Sequence, residues 1–414
     1  MLMTGQDYNR LDAASALVEP DPLLRQGLDH PEALVERRLK LVHDDGSRRF
    51  YRAWRCVHST LLGPAKGGTR YHDGVDAREV VTLAQKMSLK TALLDLPLGG
   101  GKGGIAVDPD ALSVAERERL TRAYTRAFAA DIGPDRDIPA PDMGNGEADM
   151  GWMRDEYEQV TGGSCPAVVT GKPTLLGGLQ LREGATARGG YRVLEALKQP
   201  LSLNGEIRLA VQGFGKVGAQ MACRLSNNGF KLVAVADSSA TLICEDGVDA
   251  ARLAQAKGAG QSLAQLCEAE GFQQAAREAV LTQDCDLLVP AALGGMIDAE
   301  MAEQVRARLI LELANGAVLP EADHGLADRG ICVLPDILAS AGGVVASYHE
   351  WMAGKAGREV VVEAAANRLD QTMAEAAQAA WDMAEEKDCP LTIACYALAI
   401  ERLDRAACLR AMNC

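Results

Sequence analysis

The stretch Ile207-Arg208-Leu209-Ala210-Val211-Gln212-Gly213-Phe214-Gly215-Lys216-Val217-Gly218 decides the fold. Its first six residues read as a short apolar strand, and Gly-x-Gly-x-x-Gly then opens a helix that Gly229 ends. A second strand, 230–236, closes on Asp237. Glycine-rich turns are common. Strand, glycine turn, helix and strand-terminal acid in that order, however, form the context in which this motif holds a dinucleotide. Gly213 permits the tight turn, Gly215 removes a side chain that would block the pyrophosphate, and Gly218 lets the helix pack on the sheet. Phe214, Lys216 and Val217 supply the intervening backbone, and the free N–H groups of the helix start meet the phosphate charge. Asp237 is placed to accept hydrogen bonds from the adenosine ribose, which favours NAD. Ser238 and Ser239 could instead meet the 2′-phosphate of NADP, although no arginine or lysine lies between 237 and 247.

Downstream, apolar runs at 287–290, 309–313 and 331–334 continue the alternation of strand and helix, and upstream a helix spans about 183–197. Apolar strands joined by helices imply a parallel sheet covered on both faces. At 414 residues the chain exceeds one ordinary core. We read an α/β fold of two domains. An amino-terminal α/β domain covers 1–182 and is rejoined by helices from about 365–414. A doubly wound, Rossmann-type domain covers 183–364.

The amino-terminal part holds the reactive side chains. Residues 50–58 alternate as a strand, and Gly63-Pro64-Ala65-Lys66-Gly67-Gly68-Thr69-Arg70-Tyr71 reads as a loop. A helix follows from Asp76, a good N-cap with Glu79 at the capping-box position, and Val80, Leu83 and Met87 recur at helical spacing. Lys90 shares a face with Met87, whereas Lys86, one turn earlier, reads as solvated surface. The helix gives way to Gly99-Gly100-Gly101-Lys102-Gly103-Gly104, where glycines on both sides let a ligand approach the Lys102 ammonium closely. A further helix is expected over 113–131. A polar loop follows over 135–146, in which Asp142 is the carboxylate able to share a proton with Lys102.

Composition bounds the partners. With 43 Lys and Arg against 57 Asp and Glu, the net charge of -14 argues against nucleic acid or an anionic membrane surface. An anionic substrate must therefore be caught by a local lysine cluster. No stretch is long and apolar enough to span a bilayer, and residues 1–22 lack a basic segment followed by an apolar one, so a cytoplasmic address is expected. The 11 cysteines and 6 histidines are scattered without Cys-x-x-Cys or zinc spacing, which implies reduced thiols and no metal.

A wider set of motifs runs in order from about residue 30 to the carboxyl terminus. It comprises Gly63 to Arg70, Leu96 to Gly104, Pro141-Asp142, Val169-Thr170-Gly171-Lys172-Pro173, Gly213 to Gly218, Asn315-Gly316, Pro335 to Ala339, Ala341-Gly342-Gly343 and Ser347-Tyr348-x-Glu350-Trp351. This set resembles the signature of the glutamate/leucine/phenylalanine/valine dehydrogenase family. The resemblance implies an oxidoreductase that converts an amino acid to a 2-oxo acid and ammonia with NAD or NADP. It also implies a cleft that closes between two domains and a homo-oligomer, most often a hexamer. By the same resemblance Lys102 is the catalytic lysine that activates water and stabilises the oxyanion, and Asp142 moves protons to and from the substrate amine. Lys90, with Met87 beside it, would hold the α-carboxylate, and Thr186 and Asn315 would meet the nicotinamide end of the cofactor. In the family's glutamate enzymes a lysine at the position of Lys66 and a serine at that of Ser347 bind the distal carboxylate. Both are present here, so glutamate is the expected substrate, with a neutral branched-chain or aromatic amino acid as the alternative. A catalytically silent regulatory subunit would have lost part of the lysine–aspartate set, which is complete. The segment Gly178–Ala187 and Leu313, before Ala314-Asn315-Gly316, depart from the family pattern.

Overall fold

Residues alternating between two faces build an antiparallel hairpin in the amino-terminal part, β1 (Ala33–Val42) and β2 (Arg48–Ser59). In the computed structural model, which describes residues 5–411, three more strands extend it: β3 (Ala65–Tyr71), β4 (Gly99–Ile105) and β5 (Asp137–Pro141). The sheet order is β1-β2-β4-β3-β5, antiparallel between β2 and β4 and parallel beyond. Its helices are α1 (Gly5–Val18), α2 (Pro22–Asp29), α3 (Ala77–Leu93), α4 (Val114–Phe128) and α5 (Glu147–Thr161). Asp76 caps α3 by accepting the Glu79 N–H at 2.8 Å. The reciprocal half of the expected box does not form, because the Glu79 carboxylate pairs with Arg70 at 2.5 Å instead.

The stretches around Lys66 and Lys102, expected as open glycine-rich segments, are strands β3 and β4, and β4 is buried throughout. A Cβ on Gly67 would stand 1.6 Å from the Gly101 carbonyl oxygen, and one on Gly100 2.2 Å from the backbone of Ser88 on α3. These glycines therefore let neighbouring strands and α3 close together, rather than clearing a path for a ligand. Asp142, expected within a loop, directly follows β5.

The second sheet has the order β12-β11-β10-β6-β7-β8-β9. Strands β6 (Ile207–Gln212), β7 (Phe230–Ala236), β10 (Leu287–Pro290), β11 (Leu309–Leu311) and β12 (Cys332–Leu334) are parallel. β8 (Thr241–Ile243) and β9 (Gln273–Ala275) add antiparallel pairs at the β7 edge, so the sheet is not wholly parallel as expected. The cause is local: Asp237 Oδ1 accepts the N–H groups of Ser239 and Ala240, an Asx-type turn that sends the chain back along β7. Helices α6 (Ala185–Ala196), α7 (Lys216–Ser226), α8 (Ala250–Gly258), α9 (Leu263–Glu270), α10 (Ala299–Gln304), α11 (Asp323–Asp328), α12 (Asp336–Ala339) and α13 (Gly342–Ala356) surround this sheet. The chain ends in α14 (Val362–Lys387) and α15 (Leu391–Ala411). α14 packs on α6 and α13, while α15 packs on α1, α3 and the β12 edge and so ties the two sheets together.

Candidate active site

Alternation along β4 points Gly100, Lys102 and Gly104 at α3, since Cβ atoms on the two glycines would strike Ser88 and Val80 of that helix. Lys102, 7% exposed, forms an ion pair with Asp142. Asp142 also accepts the Met143 N–H at 2.7 Å and lies 3.5 Å from the Arg70 guanidinium. Burial raises the Asp142 carboxyl, but Lys102 and Arg70 outweigh it and hold the group at about 2. A carboxylate and a lysine thus meet between the middle of β4 and the end of β5. Lys90 lies behind them on α3, with Met87 on the turn before, and its Nζ donates to Ser340 Oγ at 3.0 Å in the second domain. Burial lowers the Lys90 pKa, and Asp336 opposes that shift.

Lys66 is 2% exposed and makes no hydrogen bond or ion pair among the described residues. The nearby carboxylates are already engaged. Arg55 and Asp137 pair at 2.5 Å, and Lys172 and Glu350 at 2.6 Å, all four side chains being buried. That leaves Lys66 and the Arg182 guanidinium as surplus positive charge in one buried region. Burial, then Arg182 and Arg55, push the Lys66 pKa well below its ordinary value. Arg182 Nε donates to Ser347 Oγ at 3.4 Å, and Ser347 is itself buried. Close to this group, in the loop held by Glu350, the buried Thr170 Oγ1 has no hydrogen-bond partner. Two cations and two hydroxyls without an anion are suited to a small carboxylate. Sequence reasoning selected Lys66 and Ser347 but passed over Arg182 and Thr170. Both stood in quoted motifs, yet no spacing rule joins them to Lys66.

At the dinucleotide fingerprint Gly213 has φ +91°, a left-handed value that favours glycine. A Cβ on Gly218 would lie 1.8 Å from the Gly213 oxygen, so this glycine lets α7 settle on its own turn more than on the sheet. A Cβ on Gly215, in contrast, would enter open space. Beside it lies a cavity of about 590 Å³ lined by Gly213, Phe214, Gly215, Asp237, Ser238, Lys257 and Arg277. The buried Gln212 Oε1, also in the lining, has no hydrogen-bond partner. A glycine cradle with an unused acceptor fits a dinucleotide. Lys216 and Val217 form the first turn of α7 beyond that cradle.

Asp237, expected to serve the ribose, is otherwise occupied. Its carboxylate accepts from Ser239 N–H at 2.7 Å, Ser239 Oγ at 2.5 Å, Leu263 N–H at 3.1 Å and Lys257 Nζ at 2.5 Å. Burial raises this carboxyl, but Lys257 and Ser239 hold it well below the usual range. Asp237 therefore fixes the turn and Lys257, and Lys257 brings to the cavity a cation that the 237–247 window could not reveal.

Thr186 lies in the first turn of α6, and Asn315 is exposed on the loop after β11. The next residue, Gly316, donates its N–H to Asp336 Oδ2 at 2.8 Å. Lys86, expected in solvent, is half-buried and turned to this loop, for a Cβ on Gly316 would stand 3.6 Å from its Nζ. Among the described residues no group of three or more His, Cys, Asp or Glu could hold a metal ion, and no helix is long and apolar enough to cross a membrane.

Fold and site together define a two-domain protein with a dinucleotide-type glycine cradle, a lysine–aspartate ion pair and two further buried lysines, Lys66 and Lys90. The chain belongs to the glutamate/leucine/phenylalanine/valine dehydrogenase family, whose model matches residues 177–410, with the family's dimerisation domain matching 31–159. It is 39% identical to an NADP-specific glutamate dehydrogenase of Synechocystis sp., covering 96% of this chain and 94% of that protein. It is 38% identical to NAD-specific glutamate dehydrogenase A of Halobacterium salinarum, covering 95% and 90%. Among solved structures, the leucine-bound hetero-hexameric glutamate dehydrogenase of Thermus thermophilus superposes with a TM-score of 0.91 at 38% identity, over 97% of this chain and 95% of that one.

Proposed function

We propose that this protein catalyses the reversible, NAD(P)-dependent oxidative deamination of L-glutamate to 2-oxoglutarate and ammonia. The surplus charge of buried Lys66 and half-buried Arg182, whose neighbouring carboxylates are already paired, carries the choice of glutamate. A neutral side chain would leave both cations uncompensated, at a cost of several kcal/mol. The glutamate dehydrogenases named above support the reading.

In this reading Lys90 holds the α-carboxylate, while Lys66, Arg182, Ser347 and Thr170 hold the distal one, which fixes the α-carbon between them. When bound, the dinucleotide supplies the hydride acceptor, with Thr186 and Asn315 at its nicotinamide end and the cradle from Gly213 to Gly218 at its phosphates. Asp142, ionised at neutral pH, takes a proton from the substrate ammonium, and Lys102 faces the oxygen of the attacking water and of the carbinolamine that follows. Closure of the cleft removes bulk water and strengthens each of these contacts.

Lys257, Arg277 and Ser238 in the adenosine cavity favour NADP over NAD, because Asp237 has no free acceptor left for ribose hydroxyls. We place the domain joint near 182–183, with α15 returning to the first domain, as its packing on α1 and α3 supports. We also propose a cytoplasmic hexamer of like chains. Half-exposed Val42 and exposed Phe50 along the β1–β2 edge, together with the hexameric relative, support an assembly. Substituting Lys66→Leu tests the substrate reading. Loss of roughly 2–5 kcal/mol of charge-paired binding lowers kcat/KM for glutamate by about 30-fold or more. Unchanged glutamate turnover would show that Lys66 does not meet the substrate.

A further inference from the structure

The helix α3 presents two lysines one turn apart, Lys86 and Lys90, to the second domain. Facing them is the short α12, which packs on α3 and begins with Asp336, 3% exposed. Asp336 Oδ2 accepts the Gly316 N–H at 2.8 Å, on the same loop that Lys86 Nζ approaches. Lys90 Nζ meets Ser340 Oγ, which in turn donates to the Asp336 carbonyl oxygen at 2.8 Å. Charged or titratable neighbours of Asp336 on other elements include Arg10 of α1, which pairs with Asp323, the buried Cys395 of α15, and Glu312, whose carboxylate accepts the Asp336 N–H at 3.2 Å. Burial, followed by repulsion from Asp336, pushes the Glu312 carboxyl up to about 8, so Asp336 keeps the negative charge of this pair.

One anion thus faces two lysines: burial raises the Asp336 carboxyl, and Lys86, then Lys90, hold it below its usual range. We propose that Lys86 is a positioning residue for the amino-acid site: by serving as counterion to Asp336 across the cleft, it leaves the charge of Lys90 available to the substrate α-carboxylate. Without Lys86, Lys90 becomes the leading cation facing Asp336, ahead of Arg10, which is already paired with Asp323, and the substrate would compete with a buried carboxylate for the same ammonium. This inference rests on the glutamate reading above and adds to it a residue that touches neither substrate nor reacting atoms.

The test is a double-mutant cycle with Lys86→Met, Asp336→Asn and the pair, read as KM and kcat for glutamate in the full-length assembly. Lys86→Met is expected to raise KM about tenfold with kcat within about twofold, because ground-state binding is lost and chemistry is not. Adding Asp336→Asn removes the competitor and returns KM to within about threefold of the parent, while Lys86→Arg keeps the parent KM. An unchanged KM in folded Lys86→Met, or a double variant whose KM is the product of the single effects, overturns the proposal. Should Asp336→Asn fail to fold, inhibition by glutarate decides. Under the proposal Lys86→Met weakens glutarate and leaves the cofactor KM alone, whereas equal weakening of both refutes it. If the parent protein turns over no glutamate, the glutamate reading fails by itself. Calorimetric binding of glutarate to parent and Lys86→Met then still tests the role of Lys86.

Discussion

A lysine at 2% exposure, beside a guanidinium and beside carboxylates that are already paired, is costly to keep protonated. A bound carboxylate removes that cost. In the folded, unliganded protein Lys66 binds its proton less readily than in the unfolded chain, so stability rises with pH between its depressed pKa and the ordinary lysine value. Glutarate should reverse that contribution by restoring the proton. Binding measured calorimetrically in this pH window, in two buffers of different ionisation enthalpy, should show proton uptake, and equal enthalpies in both buffers would contradict it. A second cation, Lys257, lines the cavity beside the glycine cradle, where Asp237 holds it. Lys257→Ala should raise the KM for NADP by roughly 10- to 100-fold, the worth of one charge-assisted contact, while the KM for NAD stays within about twofold. Equal effects on the two cofactors would remove Lys257 from the choice between them.

Elements bring these residues together. On α13, Ser347 and Glu350 stand three residues apart on one face. Glu350 accepts the Gly171 N–H at 2.9 Å and the Lys172 ammonium at 2.6 Å, which sets the loop carrying Thr170 against Ser347. Glu350→Gln leaves Lys172 buried without a counterion, and thermal or denaturant unfolding should register a loss of about 3–5 kcal/mol. Little change would mean that the pair does not organise this loop. The unit from β6 through α7 to β7 was legible in the sequence because apolar strand, glycine turn and helix each leave a periodic mark. The strands β3 and β4 were not, because glycines chosen for close approach to Gly101 and Ser88 look like loop residues when read alone. β8 and β9, three residues each, are too short to leave a pattern.

For the whole molecule, the fold class and the meeting of Lys102 with Asp142 could be read from motifs, whereas the pairing of the other distant charges could not. Lys66 and Arg182 are separated by more than a hundred residues, and only the folded chain shows that Glu350 and Asp137 already have partners and that neither cation pairs with a carboxylate among the described residues. Lys86 was misread for the same reason, since its neighbour Asp336 arrives from the other domain. The site is divided between the two sheets, and α15 spans both, so closure and catalysis are expected to be linked. The mass of the purified protein by light scattering should be about six times that of one chain, and a monomer would contradict the proposed assembly. The central claim meets its most direct test in the initial rate of nicotinamide reduction, followed by the absorbance of the reduced cofactor, with a panel of amino acids offered to the purified protein with NADP and with NAD. Reduction with L-glutamate well above that with leucine, valine or phenylalanine is the expected result; a preference for a neutral amino acid, or no reduction with any, would contradict the account.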